Sequence, residues 1–214
     1  MNSRTKKITT IGMFSALAFV CLLVIRIPMV LFLKYEPKDV VIVIAGFIYG
    51  PLTSLLISFI VSFIEMLTIS DTGIIGFIMN ILSTAAFACT AAYIYKKNRT
   101  IKGAVFGLIM GVIAMSLVML MWNYLITPSY MGLPRSEVVP LLWSAILPFN
   151  LIKGGLNAGL TLLLYKPVVT VLRKISLVDQ RESSSGKINL GVILFALVIL
   201  ATCVLFVLSI YGII

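Results

Sequence analysis

The 214-residue sequence contains no histidine. That excludes Ser-His and Cys-His catalytic pairs and removes the commonest zinc and haem ligand. Cysteine is nearly as scarce. Cys21, Cys89 and Cys203 lie far apart inside apolar runs, without metal-ligand spacing. They read as small apolar residues, neither a disulfide framework nor a metal site. Acid is sparse too, with seven Asp and Glu against seventeen Lys and Arg. No chain of intramembrane carboxylates or inverted repeat marks a proton-coupled carrier. No G-x-x-x-x-G-K-S/T stretch occurs, so the chain has no P-loop with which to hydrolyse ATP. Ser-Lys chemistry stays formally open, but no serine stands at a suggestive helical offset from Lys153. These absences argue against an enzyme and against a resident cofactor.

What remains is apolar. The chain is 61% hydrophobic and 11% charged, with a mean hydropathy of +1.15. A soluble chain is about 45–50% apolar and about 25% charged. The expected fold is therefore all-α, a polytopic membrane helical bundle. A net charge of +10 raises nucleic acid as a partner. The basic residues, however, sit in short clusters at the ends of apolar segments, which is how membrane orientation is set. The lipid bilayer, and no nucleic acid, is the partner this pattern implies.

In chain order, Arg4, Lys6 and Lys7 precede an apolar run over residues 8–25. The run exceeds the roughly 7–15 apolar residues of a signal peptide, and Arg26, Ile27 and Pro28 replace a cleavage site. A retained first helix is expected. Gly12 and Ala16, one turn apart, give it a flat face for close helix approach, either within the bundle or against an outside partner. Residues 26–39 form a loop broken by Pro28 and Pro37, and its apolar middle is expected to fold back over the protein. Residues 40–70 are one long apolar stretch split by Gly50-Pro51, with Pro51 opening the third helix. Residues 40–49 span about 15 Å of helix, too short for a core of about 30 Å. The second helix must begin earlier, tilt, or sit where the protein is thin. Glu65 is expected to reach the interface, with a ligand role as the less favoured alternative. Further helices are expected over residues 74–95, 103–126 and 141–172, and a seventh over residues 188–211. The stretch 127–140, with three prolines, is expected outside any helix.

The basic residues orient this scheme. With the N-terminus inside, one side collects Arg4, Lys6, Lys7, Lys96, Lys97, Arg99, Lys102, Lys166, Arg173, Lys174, Arg181 and Lys187. The other collects only Arg26, Lys34, Lys38 and Arg135. That bias predicts a cytoplasmic N-terminus and groups the loop at 26–39, the Asp71 turn and the loop at 127–140 outside. The expected organisation is a six-helix substrate-binding domain over residues 1–175, a Ser-rich cytoplasmic linker over 176–187, and an additional transmembrane helix over 188–214.

The sixth helix carries the most informative pattern. Asn150, Lys153 and Asn157 fall on one face of a segment apolar enough for a membrane, and Thr161 extends that face. A lysine at mid-membrane costs roughly 2.5–3.5 kcal/mol. It needs something polar to face, and the asparagines supply donors and acceptors. The face is a ligand site, a polar seam between helices, or a path for ions or protons. On the same logic, removing Lys153 would relieve a buried charge.

The residues Lys34-Tyr35-Glu36-Pro37-Lys38-Asp39, with Ala45-Gly46-Phe47-Ile48-Tyr49-Gly50-Pro51, resemble the first-loop and second-helix signature of riboflavin-specific substrate-binding subunits (S components) of energy-coupling-factor (ECF) transporters. Ile146-Leu147-Pro148-Phe149-Asn150-Leu151-Ile152-Lys153-Gly154 resembles their sixth-helix signature. Asn123-Tyr124 and Thr127-Pro128-Ser129-Tyr130-Met131-Gly132 match in style. The resemblance covers about residues 8–172 and implies high-affinity riboflavin binding from outside a bacterial cell, at the plasma membrane. It implies uptake with a transmembrane coupling subunit and two cytoplasmic ATPase subunits. By resemblance Asn150 and Lys153 contact the flavin, joined by Asn123, Asn157, Tyr35, Lys38 and Asp39. Depth and polarity add Asn80 and Tyr130. The family's paired alanines for docking correspond to Gly12 and Ala16, and its core has six helices where this chain adds a seventh. Whether flavin mononucleotide also binds is left open, since Lys34 and Lys38 could attract a phosphate. The competing reading is a self-sufficient carrier or channel for a small polar solute.

Overall fold

Gly50 and Pro51 cut the longest apolar stretch in two, and that break sets the architecture. Gly50 adopts φ 96°, a left-handed conformation that suits a residue without a Cβ, and Pro51 fills the first turn of the helix that follows. The structure, a computed structural model, describes residues 3–174 and 190–210. Its elements in order are α1 (Ser3–Val24), β1 (Ile27–Val30), β2 (Leu33–Tyr35), α2 (Lys38–Tyr49), α3 (Pro51–Thr68), α4 (Gly73–Lys97), α5 (Ile101–Met131), α6 (Arg135–Leu141), a π-helical turn (Leu142–Ile146), α7 (Leu147–Lys174) and α8 (Leu190–Ile210). The fold is an α-helical bundle, as composition implied.

Among the described residues, six segments are long and apolar enough to cross a membrane, with α6, the π turn and α7 running on as one. α2 is the exception. It begins at Lys38, earlier than its apolar run, yet its 12 residues span only about 18 Å. Every residue from Lys38 to Ile48 is buried. A helix apolar on all sides belongs in a core, and α2 is packed against α1, α3, α4 and α7. It can be short because it meets no lipid. Small residues bring its neighbours close. A Cβ on Gly46 would stand 2.0 Å from Ser54 Oγ and 2.9 Å from the Ala92 methyl. α4 and α5 pair in the same manner, since Cβ atoms on Gly107 and Gly111 would press on the carbonyls of Ala91 and Phe87. Lipid tails are as apolar as leucine, so such close packing, rather than the hydrophobic effect, holds membrane helices together.

Residues 26–39 do more than loop. β1 and β2 pair antiparallel, Ile27 opposite Tyr35, with Leu31 at φ 53° in the tip. The apolar middle folds back as expected: Met29, Phe32 and Leu33 pack on Val138, Leu142, Ile146 and Phe149. Arg26 Nη1 donates to the Ile69 carbonyl at 2.8 Å, and Lys34 pairs with Asp71, so the hairpin and the α3–α4 turn share one end of the bundle. At the opposite end a Cβ on Gly50 would meet the Lys96 chain at 3.8 Å.

The expectation that residues 127–140 lie outside any helix is overturned. Thr127 to Met131 extend α5, and Arg135–Leu141 form α6. Pro128 removes one N–H, and α5 ends three residues later at Met131, capped by Gly132 at φ 67°, whose N–H returns to the Pro128 carbonyl. Pro134 stands at the N-cap of α6. In a regular α-helix the Pro148 ring would press on the Ser144 carbonyl, and Ser144 lies in the widened π turn. Glu65 is also corrected: it is 2% exposed and inside the bundle, because it has cations to face. The linker expected over 176–187 lies outside the described residues. The seventh segment is the helix α8.

Candidate functional site

A cavity of about 230 Å³ opens beneath the hairpin, between α3, α4, α5 and α7. Phe32 and Leu33 of the hairpin region, Met79, Met119 and Phe149 supply apolar wall. Asn80, Asn123, Asn150 and Lys153 supply polar groups, with Arg26, Glu36 and Glu65 beside them. Tyr130 closes one side and meets Phe32 edge-on, ring centroids 5.4 Å apart. Small-molecule sites are usually mostly apolar with a few fixed polar groups; this lining has apolar walls but carries more charged and polar side chains than that.

Two asparagines are held by their own helices. Asn150 Nδ2 donates to the Ile146 carbonyl at 2.8 Å, and Asn123 Nδ2 to the Met119 carbonyl at 2.7 Å. Thr127 Oγ1 donates to Asn123 Oδ1 at 2.8 Å. The Ile146 acceptor is the last residue of the π turn, so the irregular backbone and the Asn150 rotamer are one local arrangement. An amide has two N–H groups and an oxygen with two lone pairs. After the backbone bond, Asn150 keeps one N–H and its oxygen for a guest.

Behind these groups lies a charge network that composition could not reveal. Lys38 Nζ is bonded to Glu36 at 2.8 Å and to Glu65. Arg26 Nε donates to Glu36 at 3.1 Å, and its Nη2 stands 3.8 Å from Glu65. Lys153 Nζ lies 3.4 Å from Asp39 Oδ2. Asp39 also accepts from Thr84 Oγ1 at 2.7 Å and from Asn157 Nδ2 at 3.2 Å. Tyr35 OH donates to Asn157 Oδ1 at 3.2 Å, and Asn80 Nδ2 to Glu65 Oε2 at 3.0 Å. Three cations thus face three carboxylates, and the cluster is neutral. Burial pushes the Glu36 carboxyl up, but Lys38 first, then Lys153 and Arg26, outweigh it and hold it below its ordinary value. Tyr35 is raised by burial, then by the Asp39 charge. At the rim the Lys34 hydrogen bond holds the exposed Asp71 carboxyl down.

Of the nine residues singled out for ligand binding, Asn80, Asn123, Tyr130, Asn150 and Lys153 line the cavity. Tyr35, Lys38, Asp39 and Asn157 stand behind it, in the network that holds Lys153 and Glu36. Sequence reasoning passed over Arg26 and Glu36, and gave Glu65 the wrong setting. The available signal was the density of charge between Arg26 and Asp39, next to an apolar helix that cannot carry a charge unpaired. Gly12 and Ala16 are exposed, and a Cβ on Gly12 would meet nothing within 4 Å. Among the described residues, that face packs against no other helix.

Comparison with known proteins agrees with the geometry. Residues 6–165 match the family model described as ECF transporter, substrate-specific component. The riboflavin transporter RibU of Staphylococcus aureus is 30% identical over 181 residues, 80% of this chain and 95% of that protein. The riboflavin transporter FmnP of Bacillus subtilis is 32% identical over 163 residues, 71% of this chain and 85% of that protein. A solved structure of the S component of a bacterial ECF transporter superposes with a TM-score of 0.70 at 30% identity, covering 79% of this chain and 99% of that one. The chain is a multi-pass membrane protein that belongs to the family of substrate-specific components of ECF transporters, transport subunits rather than enzymes.

Proposed function

We propose that this chain binds riboflavin from outside the cell and serves as the substrate-specific subunit of an ATP-driven ECF transporter. The observation that carries the reading is the pairing of Asn150 and Lys153 on the cavity side of α7, over a charge-neutral floor and between apolar walls. A flavin ring is flat and largely apolar, with carbonyl and imide groups along one edge. Asn150 can donate to a carbonyl and accept from an imide N–H, while Lys153 donates. Asn123, Asn80 and Tyr130 complete the contacts. Tyr35, Lys38, Asp39 and Asn157 act through the residues they hold. Both cations at the mouth are already engaged, Lys34 with Asp71 and Arg26 with Glu36, so the pocket favours neutral riboflavin over flavin mononucleotide.

The cavity lies at the end opposite Lys96 and Lys97, which fits an N-terminus in the cytoplasm of a bacterium and a site open to the outside. The exposed Gly12/Ala16 face then docks the transmembrane coupling subunit, which in turn holds two cytoplasmic ATPase subunits. Residues 1–175 form the binding unit, and the rest is an addition to it. Riboflavin titration of the detergent-purified chain is the direct test. Quenched flavin fluorescence with a 1:1 end point is expected, with weaker quenching by flavin mononucleotide. No quenching at micromolar flavin would sink the reading, and uptake into liposomes by the chain alone would replace it with a self-sufficient carrier.

A further inference from the structure

α8 lies beyond residue 165, where the family match ends. Its less exposed residues, Val192, Ile193, Ala196, Ile199, Leu200, Cys203, Val207 and Leu208, recur every three or four residues along one side. That is the seam of one helix packed along another. The partner is α7, on a face made of glycine. A Cβ on Gly155 would stand 2.8 Å from the Cys203 sulfur. A Cβ on Gly159 would stand 2.9 Å from Leu200 Cγ and 3.3 Å from the Ala196 carbonyl. Ala196 is fully buried. The other face of α8 carries exposed Leu194, Leu197, Val198, Leu205 and Phe206, a surface for lipid.

Gly155 and Gly159 are one turn apart and point away from the face of Lys153 and Asn157. Tyr35 is the residue that bonds Asn157. We propose that α8 is a positioning element of the binding site: seated in the glycine face of α7, it fixes the rotation of that helix and so holds Lys153 and Asn157 against Asp39. This rests on the riboflavin reading above.

The test uses the full chain. Gly159→Leu drives a side chain into Leu200, and Leu200→Ala makes room for it. Riboflavin affinity, read by fluorescence quenching, should fall at least about tenfold in Gly159→Leu and return to within about threefold of wild type in the double variant. Equal affinity in Gly159→Leu overturns the proposal, as does failure of Leu200→Ala to rescue. Gly155→Cys guards against a variant that merely misfolds. The new thiol faces native Cys203, so mild oxidation should form a disulfide that Cys203→Ser abolishes. The crosslinked protein should bind riboflavin like wild type. No crosslink, or binding lost on oxidation and regained with reductant, overturns the brace. A wild-type chain that binds no riboflavin overturns the functional reading and the role of α8 with it, whereas intact binding in every variant overturns only the latter.

Discussion

Removing Lys153 should destabilise the unliganded protein, the opposite of what the sequence implied. In the sequence Lys153 is a lone charge in an apolar helix, and deleting it looks like relief. In the structure it stands 3.4 Å from Asp39, whose side chain is fully buried. At an effective dielectric of about 20, two unit charges at that separation attract by about 5 kcal/mol. Desolvation offsets part of this, and breaking one half of a buried pair costs about 3–5 kcal/mol. Lys153→Met leaves Asp39 with Thr84 and Asn157 as neutral donors, and the cluster with two cations against three carboxylates. Asp39→Asn errs the other way, leaving three cations against two. The double variant restores balance and leaves Arg26 and Lys38 with Glu36 and Glu65. Thermal unfolding in detergent without flavin should therefore show both single variants lowered by about 3–5 kcal/mol, and a coupling of about 2–3 kcal/mol in the double. Flavin binding should remain weak in the double, since Lys153 is also proposed to contact the flavin. A Lys153→Met protein as stable as wild type, or additive effects in the double, would refute the charge-balance account.

Three further outcomes are expected. Asn150→Ala should weaken riboflavin binding by about 0.5–1.5 kcal/mol per hydrogen bond lost, measured by titration, with little change in unliganded unfolding because its Ile146 contact stays within one helix. Glu36 has a folded pKa below its ordinary value, so the stability it contributes is full above pH about 4.3 and is lost as pH falls through the folded value; unfolding midpoints should be flat from pH 7 to 5 and drop below that, less so in Glu36→Gln. Gly12→Leu with Ala16→Leu should abolish uptake in cells carrying the whole transporter while leaving flavin titration of the purified subunit unchanged; loss of both would return that face to internal packing.

The helical membrane class and most helix positions were legible because they depend on composition and on breaks such as Gly50-Pro51. The depth of the site was legible because Asn150, Lys153 and Asn157 share one helix face. Two things were not. The prolines of the stretch after Thr127 suggest a loop, yet Pro134 sits at the cap of α6, where no N–H is needed, and Pro128 and Pro140 lie inside α5 and α6 near their C-terminal ends, where helix on either side outweighs the lost hydrogen bond. The ionic network was hidden because its members are spread from Arg26 to Lys153, and only the fold brings Glu65 to Lys38. Sequence spacing reports on one helix at a time. It cannot tell a residue that lines the cavity, such as Asn150, from one that stands behind it, such as Asn157.

That distinction turns on three consecutive residues. At 3.6 residues per turn, Lys153, Gly154 and Gly155 point about 100° apart around α7. Lys153 meets Asp39 of α2. A Cβ on Gly154 would press on Val112 and Met115 of α5, at 2.8 and 3.1 Å, and one on Gly155 on Cys203 of α8. A rotation of α7 by one residue would swing the lysine toward a neighbouring helix or lipid, at a cost of several kcal/mol, and would break both close contacts. The glycines therefore give the helix one rotational setting, and in that setting the charge faces the Asp39 carboxylate. A residue that is expensive to bury is held in place because the two residues that follow it, Gly154 and Gly155, have no side chains.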